Sequence, residues 1–77
     1  MIKWKIVLDT VTDVNDFVSI VSQYKEDLFV ENNEKTFRVN AKSLMGMLYS
    51  TEWRDDTFIT CETEPTGLYQ NLKKYID

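Results

Sequence analysis

The side chains that most often carry catalysis are scarce in this chain of 77 residues, which contains no histidine and one cysteine. Without an imidazole, the sequence excludes Ser-His-Asp triads, histidine-ligated metals and phosphohistidine chemistry. The single thiol, Cys61, forms neither an internal disulfide nor a structural zinc site. It falls in a predicted strand without a basic neighbour to lower its pKa, so we expect a small packed residue and not a nucleophile.

Neighbouring carboxylates are the second group that could do chemistry. Glu52, Asp55 and Asp56 lie close together in the sequence. Adjacent residues of an extended chain point in opposite directions, however, and the spacing is not that of a calcium loop. Nothing in a chain this short indicates the cleft that paired catalytic carboxylates require. We therefore expect no metal, no cofactor and no enzymatic activity.

The composition indicates one small domain. Thirteen Asp and Glu outnumber nine Lys and Arg, giving a net charge of −4, and the cations are scattered, which disfavours nucleic acid as a partner. A hydrophobic fraction of 43% is enough for a modest core over residues 1–77. No apolar run reaches the roughly 20 residues of a membrane span, and residues 1–5 do not resemble a signal peptide. We predict a cytoplasmic domain that does not bind membranes.

Hydrophobic periodicity predicts the elements, because alternation is typical of strands and apolar spacings of three and four are typical of helices. Thr12 or Asp13 is the expected N-cap of the first helix, and Asn40 that of the second. Pro65 is the expected first residue of the last helix, where a missing N–H is tolerated. The predicted segments are strand 2–8, helix 13–24, strands 27–31 and 35–39, helix 41–49, strand 57–63 and the helix from Pro65, with its apolar residues Leu68, Leu72 and Tyr75.

The order β-α-β-β-α-β-α predicts an α+β fold in which a four-stranded antiparallel sheet carries three helices on one face. The other face stays in contact with water. The second helix has more apolar residues than one side of a short helix can bury, so we expect some of them to form an exposed binding patch. These residues are Leu44, Met45, Met47 and Leu48.

One run is more specific than this pattern, since residues 39–48 read VNAKSLMGML. The run resembles the regulatory-serine helix of HPr, the phosphocarrier of the bacterial sugar phosphotransferase system. Gram-positive members of that family carry a very similar V-N-x-K-S-I-M-G-V-M run. The segment from Glu31 to Thr36 resembles the hairpin of the family, and the predicted element order is that of its open-faced β-sandwich. The resemblance thus covers essentially the whole chain and implies an HPr-like fold.

The comparison with this family also identifies a departure. Its members carry a phosphorylated histidine at the start of the first helix, followed by arginine and proline, and these positions fall at or near Thr10, Thr12 and Asp13. Negative charge on Asp9, Asp13 and Asp16 would repel a phosphoryl group there. Phosphothreonine is a stable ester, so Thr10 is no substitute. We expect a diverged paralogue, similar to the catabolite-repression HPr type, that does not relay phosphate.

The regulatory part of the family's biology remains, because Ser43 matches the serine that a dedicated HPr kinase phosphorylates in Gram-positive bacteria. The resemblance implies that the apolar residues after it dock this kinase and a transcriptional regulator. A phosphate on Ser43 would lie at a helix start, where the helix dipole favours it and Lys42 could screen it. The alternative is that the Ser43 hydroxyl only caps the helix. The implied partner-binding residues are Leu44, Met45, Met47 and Leu48.

Other interpretations stay open. The chain could be an HPr-shaped interaction module or homodimer without phosphorylation, or a phosphocarrier in ancestry only. It could also be a ferredoxin-like domain in which the match over residues 39–48 is a coincidence. Trp53 beside Arg54 is either a partner anchor, since both residue types are frequent in binding hot spots, or the cover of a core edge.

Overall fold

The computed structural model describes residues 1–53 and 55–77, and Arg54 lies outside the described residues. Helices and strands follow the predicted order, so the predicted α+β fold class is confirmed. The elements are β1 (Ile2–Ile6), α1 (Val11–Val21), β2 (Phe29–Asn32), β3 (Arg38–Asn40), α2 (Leu44–Ser50), β4 (Thr57–Cys61) and α3 (Leu68–Leu72), which continues into a 3-10 turn at Lys73–Tyr75. None of the helices that the described residues form is long and apolar enough to traverse a bilayer.

The four strands form one antiparallel sheet in the order β1-β4-β2-β3. Ile59 of β4 lies at its centre, opposite Trp4 of β1 on one side and Val30 of β2 on the other. The first and third strands are therefore the edges of the sheet. A ferredoxin-like sheet has these two strands at its centre, so that alternative is wrong. The layout is the HPr-like open-faced one.

The helices cover a single face of this sheet. Residues of all three helices join Val30 and Ile59 in one hydrophobic core, in which Phe17 of α1 is fully buried. Side chains alternate along a strand, so Phe29 of β2 and Phe58 of β4 point to the opposite face, and both lie outside this core. The sheet consequently has a covered face and an open face.

The start of α1 is fixed by Thr10, whose Oγ1 accepts the Asp13 backbone N–H at 3.0 Å. The Asp13 carboxylate in turn accepts the Asp9 N–H at 3.0 Å, which gives a reciprocal arrangement close to a capping box. The predicted N-caps Thr12 and Asp13 are wrong, because both residues lie inside the helix. The helix also ends before the predicted residue 24, at Val21.

The start of α2 differs from the prediction as well, since Ser43 and not Asn40 is the N-cap. Ser43 Oγ accepts the Gly46 N–H at 3.1 Å. Asn40 instead closes a local turn by accepting the Lys42 N–H at 2.9 Å. A Cβ on Gly46 would lie 3.2 Å from the Cβ of Val39. The missing side chain at Gly46 therefore lets α2 approach β3 closely.

The last helix begins after a turn that contains Pro65. The Pro65 carbonyl accepts the Leu68 N–H at 3.1 Å, and Gly67 has a φ of 82°, in the left-handed region that glycine adopts without steric cost. The expectation that Pro65 is the first helical residue is therefore wrong. Leu68, Leu72 and Tyr75 are buried in the core, as predicted.

Candidate functional site

An apolar row on α2 faces solvent. Leu44, Met45 and Leu48 expose 42%, 83% and 38% of their surface, respectively. Residues three and four positions apart lie on the same side of a helix, so these side chains are neighbours. The prediction that part of this helix is exposed is confirmed. Contiguous exposed apolar side chains of this kind mark interaction sites.

Met47 does not belong to this row. It is fully buried in the core, and Ser50, one turn later, is buried as well, so the two residues define the side of α2 that faces the sheet. The Ser50 hydroxyl donates to the Met47 carbonyl at 2.6 Å, which satisfies it inside the protein. The assignment of Met47 to the partner-binding residues is therefore wrong.

Three aromatic rings extend the exposed row past the end of α2. Phe37 and Trp53 are stacked at 18° with centroids 5.7 Å apart, and Tyr49 meets each of them edge-to-face at 6.2 Å. Phe37 and Tyr49 are 42% and 50% exposed, whereas Trp53 is half-buried and packs against the core. Trp53 thus covers a core edge, while its neighbour Arg54 lies outside the described residues. We call the five exposed side chains the α2 surface: Phe37, Leu44, Met45, Leu48 and Tyr49.

The aromatic rings are held by the β2–β3 turn and by the loop after α2. The Phe37 N–H donates to Oδ1 of the buried Asn32 at 2.8 Å. The Asn33 N–H donates to the Asp56 carbonyl at 2.9 Å, which ties this turn to the loop. Phe37 and Tyr49 were missed in the sequence because their proximity depends on this tertiary contact. The sequence does contain one signal for Tyr49, which lies four positions after Met45 on the same helix and therefore on the same side of it.

Ser43 lies at the start of the α2 surface and is exposed. Its hydroxyl accepts the Gly46 N–H, so the capping interpretation is confirmed, and phosphorylation stays a prediction. The Lys42 ammonium donates to the Tyr24 carbonyl beyond the end of α1. Lys42 therefore does not face Ser43, and the expected screening of a phosphate by this side chain is not in place.

The start of α1 differs from a phosphoryl-binding helix end. Thr10, the position that the resemblance gives to the phosphorylated histidine, uses its hydroxyl to accept the Asp13 N–H. The Asp13 carboxylate already supplies a negative group at this helix end, where it accepts the Asp9 N–H. The Thr10 side chain thus occupies one first-turn N–H, and the Asp13 carboxylate places a negative charge at the positive end of the helix.

Cys61 is 5% exposed and packs in the core. Burial raises the pKa of its thiol, and the negative charges of Glu64 and Glu26 act in the same direction. The thiol donates to the Thr63 carbonyl at 3.4 Å. The prediction of a small packed residue is confirmed.

Comparison with known proteins adds no relative, since no family model matches the chain and no curated protein matches it either. A functional proposal therefore depends on the α2 surface, on Ser43 and on the resemblance over residues 39–48.

Proposed function

We propose that this chain is a protein-binding domain of HPr type that acts through the α2 surface and does not relay phosphate through histidine. The observation that carries the proposal is the exposed row of Leu44, Met45 and Leu48 directly after the Ser43 cap. The row lies where the resemblance places the docking patch for HPr kinase and a transcriptional regulator. The flexible thioether of Met45 suits a surface that packs against more than one partner.

The same resemblance gives the biological setting. It places the domain in the cytoplasm of a bacterium, in the regulatory branch of the sugar phosphotransferase system, where it serves catabolite repression and sugar transport as a non-enzymatic component. The absence of histidine removes the carrier reaction. The side chains of Thr10 and Asp13 support this proposal, because they place a hydroxyl oxygen and a carboxylate at the helix end where the resemblance puts a carrier's phosphoryl group.

Phosphorylation of Ser43 would regulate the α2 surface by charge. A phosphoryl group adds between about 1.5 and 2 negative charges at neutral pH. On Ser43 it would sit at the N-terminal end of α2, where the helix dipole favours negative charge, and next to Leu44. The binding surface would then change its charge without a change of fold.

A second function, an interaction module without phosphorylation, is favoured by a specific observation. The Ser43 hydroxyl already has a structural partner in the Gly46 N–H, and Lys42, the nearest cation in the sequence, is bonded to Tyr24 instead. Nothing in these contacts requires a phosphate. Binding through the α2 surface is common to both functions.

Incubation with a bacterial HPr kinase and ATP separates the two. We expect a single phosphoryl group, located on Ser43 by peptide mass mapping, that is absent from Ser43→Ala. The matched control is Ser19→Ala, which removes an exposed serine of α1 and should be phosphorylated as the wild type is. If the chain takes up no phosphate while an authentic HPr is phosphorylated in parallel, the interaction module without phosphorylation is the correct function.

A further inference from the structure

The two edges of the sheet differ in what covers them. The end of β1 is covered by the last residues of the chain. The Val7 N–H, just after this strand, donates to the Tyr75 carbonyl at 2.8 Å, and the Asp77 N–H donates to the Lys5 carbonyl at 2.9 Å. At the opposite edge, β3 pairs with β2 alone among the described residues. An edge strand without a cover presents backbone groups with which another extended chain can pair.

The pairing of β3 with β2 determines which backbone groups of β3 point outward. Phe37 and Ala41, on either side of β3, are both hydrogen-bonded to the segment of β2. Antiparallel strands alternate between hydrogen-bonded and non-hydrogen-bonded residue pairs. Val39 is therefore bonded to β2 as well, whereas Arg38 and Asn40 turn their N–H and C=O groups away from it. We call these outward groups of Arg38 and Asn40 the β3 edge.

Three groups of the β3 edge have no hydrogen-bond partner among the described residues: the N–H and C=O of Arg38 and the N–H of Asn40. The Asn40 carbonyl accepts the Ser43 N–H at 3.0 Å. Both Arg38 and Asn40 are exposed. A donor and an acceptor on one residue, with a second donor two residues later, are the groups that one extended backbone complements.

The side chains beside the β3 edge lie on two different faces. Val39 packs against the core on the covered face. On the same face Phe37 meets Tyr49 of α2 edge-to-face at 6.2 Å, and both rings are exposed. Arg38 lies on the open face, with its guanidinium 3.9 Å from the centroid of the Phe29 ring. A strand added here would therefore alternate between an aromatic surface and a positive charge.

The charge of Arg38 is only partly matched by its own chain. Its Nε lies 3.9 Å from Oε2 of the buried Glu31, which is a long contact for an ion pair. The Arg38 side chain is 59% exposed. A carboxylate directly opposite Arg38 on a neighbouring strand would form a cross-strand pair of opposite charges, which stabilises antiparallel sheets.

We propose that the β3 edge binds an extended segment of another protein as a fifth, antiparallel strand. The segment has an acidic residue opposite Arg38 and an apolar residue on either side of it. The acidic residue exchanges two backbone hydrogen bonds with Arg38, and the residue two positions before it accepts the Asn40 N–H. The apolar side chains lie against Phe37 and Tyr49. This interaction goes beyond the proposed function, because it uses β3 and not the apolar row of α2.

Titration with the blocked pentapeptide Thr-Ile-Glu-Ile-Thr, followed by amide NMR, tests the proposal. We expect saturable shifts centred on Phe37, Arg38 and Asn40. Hydrogen exchange of the Arg38 and Asn40 amides should become slower in the complex, whereas the Val39 amide is bonded to β2 and should change little. The absence of saturable shifts would overturn the proposal, and this outcome is independent of whether HPr kinase binds the chain.

Two N-methylated peptides separate strand pairing from side-chain contacts without any change of the protein. Methylation of the glutamate nitrogen removes the N–H that donates to the Arg38 carbonyl and should weaken binding about fivefold or more. Methylation of the isoleucine nitrogen that follows alters an N–H that points away from β3, and should leave the affinity within about twofold. Equal affinities of the two methylated peptides would show that no strand is added at the β3 edge.

Replacing the glutamate of the peptide with lysine tests the cross-strand pair. The lysine peptide should bind about two- to fivefold more weakly, because it places a like charge opposite Arg38. If the two peptides bind equally, the acidic residue does not lie opposite Arg38 and the proposed register is wrong.

The protein itself offers a matched pair of variants at its two edges. Arg38→Pro removes an outward N–H, which proline tolerates on an edge strand, and should weaken peptide binding about fivefold or more. Lys3→Pro makes the same change on β1, where the residue is also exposed, and removes the same charge. It should leave the affinity within about twofold. Equal losses in the two variants would overturn the assignment of the peptide to the β3 edge.

Discussion

The hydroxyl oxygen of Ser43 accepts the backbone N–H of Gly46 at 3.1 Å, and this hydrogen bond caps α2 at its first turn. With the helix starting here, Met47 faces the sheet and Leu48 faces solvent. The residue that the resemblance makes a phosphorylation site is thus also the residue that positions the α2 surface. In the proposed function, one short helix would therefore carry both the binding surface and its regulation.

Ser43→Ala should lower the free energy of unfolding by about 1 kcal/mol, because the Gly46 N–H loses its side-chain acceptor. Ser43→Asp should stay close to the wild type, since aspartate is an equally good N-cap. Urea denaturation measures both. Ser22→Ala, an exposed serine just after α1, is the control and should change stability by less than about 0.5 kcal/mol. If Ser43→Ala has the same free energy of unfolding as this control, the Ser43 cap does not stabilise α2.

Met47→Ala and Met45→Ala should differ strongly although the two residues are neighbours in one helix. Met47 is fully buried, so its truncation leaves a cavity and should cost about 2–5 kcal/mol. Met45 is 83% exposed, and its truncation should change stability by less than about 0.5 kcal/mol. Chemical denaturation of the two variants compares them directly. Equal losses would mean that α2 is rotated relative to the orientation described.

Gly67→Ala should destabilise the protein by about 1–2 kcal/mol, because the residue before α3 has a φ of 82° that an L side chain adopts only with strain. Crowding does not contribute, since the atom nearest to a Cβ at this position would be the Tyr24 hydroxyl oxygen at 3.9 Å. Thr66→Ala, at the exposed preceding position, is the control in the same thermal denaturation experiment. If Gly67→Ala has the same melting temperature as this control, the left-handed turn at Gly67 is not required.

Alkaline pH should weaken the fold through Cys61, because burial raises the pKa of its thiol above the ordinary value of 9.0. Above that pH the unfolded chain loses the thiol proton while the folded chain keeps it, so the unfolded state binds fewer protons and the free energy of unfolding falls. The contribution is complete below the unfolded pKa and is lost as the pH rises through the folded one. Denaturation between about pH 8 and 10 should therefore show a shallower decline for Cys61→Ala than for the wild type. Identical declines would indicate that the thiol is not desolvated.

The sequence was sufficient for the element order because each segment has one dominant hydrophobic period. The caps were less predictable, since Thr10 and Thr12 are equally good capping residues by type, and the same holds for Asn40 and Ser43. Thr10 is the N-cap because its hydroxyl accepts the Asp13 N–H while the Asp13 carboxylate accepts the Asp9 N–H. This pair of contacts depends on local geometry, which residue types alone do not reveal.

The candidate site was predictable only in part. The excess of apolar residues on α2 correctly indicated exposure, but a helix of seven residues is too short for its apolar pattern to define which side is buried, and Met47 was misplaced for this reason. Phe37 joins the α2 surface through the hairpin, which is a tertiary feature that no local pattern contains.

An amide NMR titration of this chain with purified bacterial HPr kinase tests whether the α2 surface is the docking site. We expect the amide signals of Leu44, Met45 and Leu48 to shift and broaden on addition of the kinase. Met45→Glu, which places a charge in the apolar row, should abolish binding, whereas Val11→Glu, a change at a residue 64% exposed on α1, should leave it intact. Binding that perturbs residues outside the α2 surface, or that survives Met45→Glu unchanged, would show that the α2 surface is not the docking site.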